Sequence, residues 1–567
     1  METRLTIMVG GEAGQGVQTM GMILARAFAH AGFHVFADQD YESRVRGGHN
    51  FFRVRVADAE VSAASETVDI LLALNEDTIE HHRGELAPGG VIICDEAVAT
   101  GTGDRFAVPL ERLAEQQAGG RRMANTVALG VAAGVAGFDL AILSDVVRHQ
   151  FGHGESAEDN VRAAEAGYEF ARSAGRRLDR DVSPRGDGTR LLLNGNEAIA
   201  LGAVAAGCTF MSAYPMTPAT SIMEYLAGHS EGLGLAVVQA EDEIAAITMA
   251  VGAGFAGARA LTATSGSGFC LMVEGLGLAA ITETPLVIVD AQRPGPAVGL
   301  PTRTEQGDLL FALHAHHDDA QRAVLAPGDV AEAFWLTVKA FNIAERYQIP
   351  VILLTDQHLA SSYTTVDRFD LSQVSIDRGA LLSAAETDGD YRRHLVTPDG
   401  VSPRALPLQG PALVVTDSDE HDEWGHLTEA AATRTEQVLK RQRKLDGLRQ
   451  EVAPPYSYGP PQAEVTLIGW GSTRGALREA VDSLRGEGLD VAMLHVSELW
   501  PFPATQVAEA LQATGRCFTV ENNASGQLAR LIRAETGKAV TGSILKFDGR
   551  PFTPASIARE LKREGVA

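Results

Sequence analysis

An α/β fold built as three successive domains is the architecture this sequence predicts, and three observations carry it. Short apolar runs alternate with alanine- and glycine-rich helical patterns along most of the chain. The 59 glycines fall largely at the joints between the two patterns. Two stretches interrupt the alternation. One is charged, Ala174–Arg190; the other, Ala453–Pro461, carries prolines that deny both helix and central strand. A chain of 567 residues is also too long for one hydrophobic core.

Taken in order, residues 1–180 form the first α/β domain. Its strands are expected at Leu5–Val9, Phe33–Ala37, Phe51–Val56, Ile70–Ala73 and Val91–Cys94, with a helix at Met20–Ala31. A second α/β domain spans 191–400, with strands at Thr209–Ala213, Leu235–Gln239, Leu286–Asp290 and Pro350–Thr355. Between Gln357 and Gly410 the periodicity fades and no element is assigned. A connecting region, 401–460, holds a basic helix at Glu436–Arg449 and the proline-rich linker. The last domain, 461–567, restarts the alternation with strands at Val465–Gly469, Ala492–His495 and Cys517–Glu521.

Composition excludes several function classes. The formal charge of −25 disfavours nucleic acid and anionic membrane as partners. No long uncharged apolar span and no signal-peptide layout is present, which points to a soluble, cytoplasmic protein. The 4 cysteines, Cys94, Cys208, Cys270 and Cys517, are isolated, with no CxxC spacing. This chain's cysteines alone therefore hold neither an iron–sulfur cluster nor a structural zinc. No metal site is expected within it.

The motifs that carry chemistry sit just past the predicted strands of the second domain. Tyr214-Pro215-Met216-Thr217-Pro218 follows the first, Glu241-Asp242-Glu243 the second, and Ala291-Gln292-Arg293 the third. In an open α/β sheet, loops beyond the carboxyl ends of the strands line one crevice, so the three sets converge. A hydroxyl, a carboxylate and a guanidinium on one rim suit an anionic substrate and a nitrogenous cofactor. Glu243 opens a helix of small and apolar residues, where it either caps the helix or aims a buried acid at a ring nitrogen. Thr264-Ser265-Gly266 follows the next strand and leaves space for a ligand or for close packing.

Other features have bland readings. Gly10–Gly16 follows a strand and opens a helix, with Asp38 and Asp40 after the next strand, but its spacing is GxxxGxG rather than the dinucleotide GxGxxG. Arg46-Gly47-Gly48 contacts a phosphate or forms a tight turn. Gly186-Asp187-Gly188 lies in a charged linker with no apolar strand before it. The run His314–Asp319 lacks a tetrahedral ligand framework and reads as a solvated loop. Asp417–Glu423 is a dense acidic run, read as a solvated face or turn, or as a domain interface.

With these residues in place, the chain resembles the α subunit of a 2-oxoacid:ferredoxin oxidoreductase carrying a γ domain fused at its N-terminus. Tyr214–Ser221 (YPMTPATS) is similar to the family's YPITPSS-type motif, and Gly299–Leu309 (GLPTRTEQGDL) and Ser418–Glu423 point to the 2-oxoglutarate branch. GGEAGQG and RGGHN resemble the γ domain. Glu521–Leu528 (ENNASGQL) resembles the C-terminal transketolase-like domain. The resemblance implies a thiamine pyrimidine-binding second domain, with Glu243 on the pyrimidine ring and Thr264, Ser265 and Gly266 beside the cofactor. It implies Arg293 on the 2-oxoacid carboxylate, with Tyr214, Pro215 and Thr217 around the substrate. Thr302 and Arg303, in the loop after the same strand, are the nearest candidates for a distal carboxylate, although Arg303 could equally pair with Glu305. It implies coenzyme A as co-substrate, ferredoxin as electron acceptor and an (αγ)2β2 assembly, with Mg2+, the cofactor diphosphate and a 4Fe–4S cluster on a β subunit. His317–Gln321 departs from the turn many relatives carry, which leaves branched-chain 2-oxoacids or pyruvate as alternatives. A nicotinamide-linked oxidoreductase and a non-catalytic scaffold are the rival classes. The wrong glycine spacing speaks against the first, and the joint presence of Thr217, Glu243 and Arg293 against the second.

Overall fold

The apolar runs become the strands of three sheets in the computed structural model, which describes residues 3–43, 47–98, 105–152, 154–186, 188–387 and 389–566. The chain divides into two compact units. One comprises Met1–Asn194, Ser361–Phe369 and Thr553–Ala555; the other comprises Gly195–Ala360, Asp370–Phe552 and Ser556–Ala567.

The first unit holds a mixed eight-stranded sheet. Arg4–Ala13 lies at its centre, parallel to Val68–Ala73 and antiparallel to Gly47–Ala57. Leu191–Asn194, expected to open the second domain, instead pairs with Tyr363–Val366 and forms an edge of this sheet. Leu192 packs on the first unit's core, so its apolar side chain decides which sheet the strand joins. The glycine segment is also accounted for locally. Gly10 and Gly11 lie within the strand, and a Cβ at Gly10 would stand 2.4 Å from the Thr78 methyl. Asp38, the residue a dinucleotide ribose would need, is committed to Arg53 at 2.6 Å. Arg46 and Asp187 lie outside the described residues.

The second unit contains the other two sheets. The seven-stranded sheet runs Glu498–Trp500, Ala323–Leu325, Pro350–Asp356, Leu286–Gln292, Ala260–Thr264, Phe210–Ala213 and Ala236–Gln239, parallel except for the first. The five-stranded sheet is parallel apart from its edge strand Tyr456–Tyr458. That edge strand lies inside the expected linker, its prolines left outside the pairing, as an edge position allows. One core joins the two sheets: Ile288 and Ile352 from the larger and Ile468, Trp470 and Leu494 from the smaller belong to one buried cluster. The second and third sheets therefore form one unit, because neither buries its apolar face alone.

Strand ends shift where side chains find partners. Leu286–Gln292 runs two residues past the expected Asp290, since Gln292 stays in register with Asp356 and its amide donates to the Thr355 carbonyl at 3.0 Å. The basic helix is longer than expected, Ala431–Glu451. The acidic run is not a solvated face. Glu420 receives Arg434 and Arg441 and its pKa falls to about 2, their hydrogen bonds outweighing burial, while His421 is fully buried. Among the described residues no helix is long and apolar enough to cross a membrane.

Candidate active site

The sheet's strand order creates the crevice. From Phe210–Ala213 the chain adds Ala236–Gln239 on one side, then crosses back to add Ala260–Thr264 on the other. This reversal is a switch point, and the loops Tyr214–Ala219 and Ser265–Gly266 diverge from it. Met216 bridges them: Thr264 Oγ1 lies 3.8 Å and Ser267 Oγ 3.5 Å from its sulfur. Asn196, unremarked in the sequence, pins the first loop by donating to the Pro218 carbonyl and to Ser221 Oγ, both at 2.8 Å. The Thr217–Pro218 peptide is cis.

Arg293, the first residue past its strand, turns onto this loop. Its Nη1 donates to the Thr217 carbonyl at 2.6 Å, while its buried Nε has no partner. Burial lowers the guanidinium's pKa. Thr217 and Arg293 are thus together, as the sequence spacing predicted, and one guanidinium edge stays uncommitted.

Glu243 is only 3% exposed, and its Oε1 is buried without a hydrogen-bond partner. It is not the helix cap. Asp242 takes that role, accepting from the Ala245 amide at 2.7 Å. Glu243 instead points across to the neighbouring helix Gly266–Ile281. A Cβ at Gly268 would stand 2.6 Å from Glu243 Oε1 and 2.1 Å from Thr264 Oγ1. Only glycine at 268 leaves room for acid and hydroxyl side by side. Ser265 Oγ is likewise buried and unpartnered.

Two further acids escaped the sequence reading. Asp290 is fully buried within its strand, in register with Thr264, and neither carboxylate oxygen has a partner. Burial, reinforced by Asp308, raises its pKa well above the usual range. Asp308 is pushed up to about 6 by burial, and a Cβ at Gly266 would touch its Oδ2 at 2.4 Å. Asp290 closes an apolar run and Asp308 closes the GLPTRTEQGD segment; a charge ending a buried strand was the available signal. Thr302 is buried, and Arg303 lies where its loop passes Gly549, whose Cβ would stand 3.1 Å from Arg303 Cβ. Burial, and then Asp308, raises the Glu305 pKa.

Comparison with known proteins places this geometry. Residues 201–440 match the family "Pyruvate flavodoxin/ferredoxin oxidoreductase, thiamine diP-bdg", residues 6–170 match "Pyruvate ferredoxin/flavodoxin oxidoreductase", and residues 463–557 match "Pyruvate:ferredoxin oxidoreductase core domain II". Fold and matches define the class as a thiamine diphosphate-dependent oxidoreductase. The α subunit of a Sulfolobus 2-oxoacid:ferredoxin oxidoreductase is 34% identical, the alignment covering 97% of this chain and 95% of that protein. The Mycobacterium tuberculosis 2-oxoglutarate oxidoreductase subunit KorA is 30% identical, with 98% and 91% covered. The solved 2-oxoglutarate:ferredoxin oxidoreductase of Magnetococcus marinus, with 2-oxoglutarate, coenzyme A and succinyl-CoA bound, superposes with a TM-score of 0.92 at 33% identity, over 99% of both chains. The chain belongs to the 2-oxoacid:ferredoxin oxidoreductase α-subunit family, and the resemblance drawn from its motifs is borne out over its whole length.

Proposed function

We propose that this chain, with residues 1–180 as a γ-type domain, forms the α half of an enzyme that converts 2-oxoglutarate, coenzyme A and oxidised ferredoxin to succinyl-CoA, CO2 and reduced ferredoxin. The observation that carries the reading is the buried, unpartnered Glu243 carboxylate on the same strand-end rim as the half-committed Arg293 guanidinium. Leaving such groups unpaired is costly unless a ligand completes them.

The site fits the pyrimidine half of thiamine diphosphate. Glu243 would share a proton with a ring nitrogen, and Thr264, Ser265 and Gly266 would border the ring where Gly268 leaves space. When bound, the cofactor supplies the nucleophilic carbon and the electron sink for loss of CO2. This chain's residues hold the substrate. Arg293 meets the carboxylate beside the keto group with a desolvated cation, the Thr217 hydroxyl accompanies it, and Tyr214 and Pro215 form the wall. Thr302 and Arg303 receive the distal carboxylate. Among the described residues no cysteine joins a group of potential metal ligands. By family resemblance, a β subunit is assigned the diphosphate with its Mg2+ and the 4Fe–4S cluster that passes electrons to ferredoxin, in a cytoplasmic (αγ)2β2 assembly. Ile244, Met249 and Leu271, exposed on the two helices that flank the acid, offer that subunit an apolar face.

The test is reconstitution. The chain assembled with a β subunit should form succinyl-CoA from 2-oxoglutarate and far less acetyl-CoA from pyruvate; the reverse preference would overturn the substrate assignment. Arg303→Met should lower kcat/KM for 2-oxoglutarate by about 2–5 kcal/mol more than for 2-oxobutyrate, which lacks a second charge. Equal losses on both would return Arg303 to loop structure.

A further inference from the structure

The turn that links the helix Leu309–His314 to the strand Ala323–Leu325 faces the basic helix Ala431–Glu451 across a cleft of about 750 Å³. Leu313, Leu439, Leu445 and Trp500 give it apolar walls. Its volume falls within the range typical of small-molecule sites. It lies beyond the C-terminal end of Leu309–His314, whereas the strand-end cleft lies at the other end of that helix, beside Asp308.

The charges lining the cleft sort into committed and uncommitted groups. Asp446 pairs with Arg449 at 3.3 Å, and Asp318 pairs with Arg434 at 2.5 Å. Asp319 is exposed. Two guanidinium groups remain, with a histidine beside them. Arg322 is 5% exposed, and its hydrogen bond goes to the Ala312 carbonyl at 3.2 Å. Among the described residues no carboxylate meets it, and burial pulls its pKa down to about 10. Arg443 donates through Nη2 to the Thr397 carbonyl at 2.8 Å, while its buried Nε has no acceptor. His316 Nε2 is buried and unpartnered too. The backbone holds these groups in an unusual turn: His316 has φ 68° and Asp318 φ 62°, left-handed values that non-glycine residues seldom adopt.

A buried guanidinium without a counter-charge is an expensive arrangement, and beside an open cleft the missing charge is supplied by a ligand. Two guanidinium groups match a dianion with several acceptor oxygens better than a single carboxylate. We propose that this cleft is a second ligand site of the chain, one that takes a phosphate-bearing molecule of nucleotide size. Arg322 and Arg443 grip the phosphate, and Trp500 faces the rest of the ligand. The site stands independently of the decarboxylase reading, since none of its groups serves the strand-end cleft.

Calorimetric titration of the full chain with AMP and with inorganic phosphate tests it. Saturable binding is expected, weakened at least about tenfold in Arg443→Met, the loss of one charged hydrogen-bond donor. Arg443 is half-buried at the rim, so its variant keeps the fold; Arg322→Met, where it folds, should lose as much. Tighter binding of AMP than of phosphate identifies a nucleotide as the ligand, and equal binding identifies free phosphate. No saturable binding of either, or binding that Arg443→Met leaves unchanged, overturns the proposal.

Discussion

The helix Gly266–Ile281 ends in two contrasting environments. Past its C-terminus, Glu283 is fully buried, yet Lys440 Nζ lies 2.6 Å and His394 Nδ1 2.9 Å from its Oε1, and Lys444 Nζ lies 2.5 Å from its Oε2. Arg393 donates to the Thr282 and Glu283 carbonyls at 3.2 and 2.6 Å, cations meeting the negative end of the helix. Burial works to raise the Glu283 pKa, but Lys440 and Lys444 overcome it and hold the carboxyl well below its usual range. At the N-terminus, Glu243, Ser265 and Asp290 are as deeply buried and carry polar atoms with no partner. Equal burial with opposite charge compensation separates the roles. Glu283 Oε2 makes no hydrogen bond either, but it lies against the Lys444 ammonium and holds the fold, whereas among the described residues no ion pair reaches Glu243 or Asp290. The grouping of Glu283, His394 and His421 could otherwise suggest a metal centre, but two ammonium groups already occupy the carboxylate.

Glu243→Gln gives the largest expected effect. In the enzyme assembled with its β subunit, the amide keeps the volume of the acid but cannot share its proton, so kcat should fall by about 10²–10⁴-fold. The melting temperature should not fall, because an unpartnered buried acid is being neutralised. Turnover within a few-fold of wild type would make Glu243 another packed side chain and erase the distinction between the two helix ends.

Glu283→Gln should show the converse. Removing the carboxylate that Lys440 and Lys444 share leaves buried cations uncompensated, a loss of about 3–5 kcal/mol. Urea unfolding followed by circular dichroism would report it, while the surviving folded enzyme at low temperature keeps its kcat. A stability loss under about 1 kcal/mol would mean that water reaches the cluster.

The same contrast explains what the sequence revealed. Thr217, Glu243 and Arg293 were legible because each lies in or at the start of the segment that follows an apolar strand, where topology brings loops together. The region 357–410 was opaque because buried polar groups rather than an apolar stripe hold it: Arg393 is 2%, His394 0% and Arg404 3% exposed. The helix Ala431–Glu451 was found from the sequence, but its full length was hidden for a related reason. Gln437, Lys440, Arg441, Lys444 and Leu448 recur at helical spacing and form its buried face, but nearly all are polar, so the periodicity carried no hydrophobic signal. The core that the second and third sheets share was not legible, since a strand pattern does not say which sheet its apolar face will meet.

The smallest expected effect concerns the pair Asp290 and Asp308, and it distinguishes an incomplete site from a merely strained one by its pH dependence. Both carboxyls have folded-state pKa values raised by burial, Asp308 to about 6. A carboxyl raised in this way favours the folded state fully below its unfolded pKa, near 3.9, and loses that contribution as pH rises through the folded value. Asp308→Asn removes the titration. The variant should match wild type in melting temperature near pH 4 and exceed it near pH 8, by up to about 3 kcal/mol for a shift of about two units. Thermal melts of both proteins across that range check the sign. A gain confined to high pH means that the wild-type chain carries an ionisation cost beside Gly266, at the helix end that borders Glu243. The same difference at pH 4 and pH 8 would show that packing, not charge, governs the pair at this end of the helix.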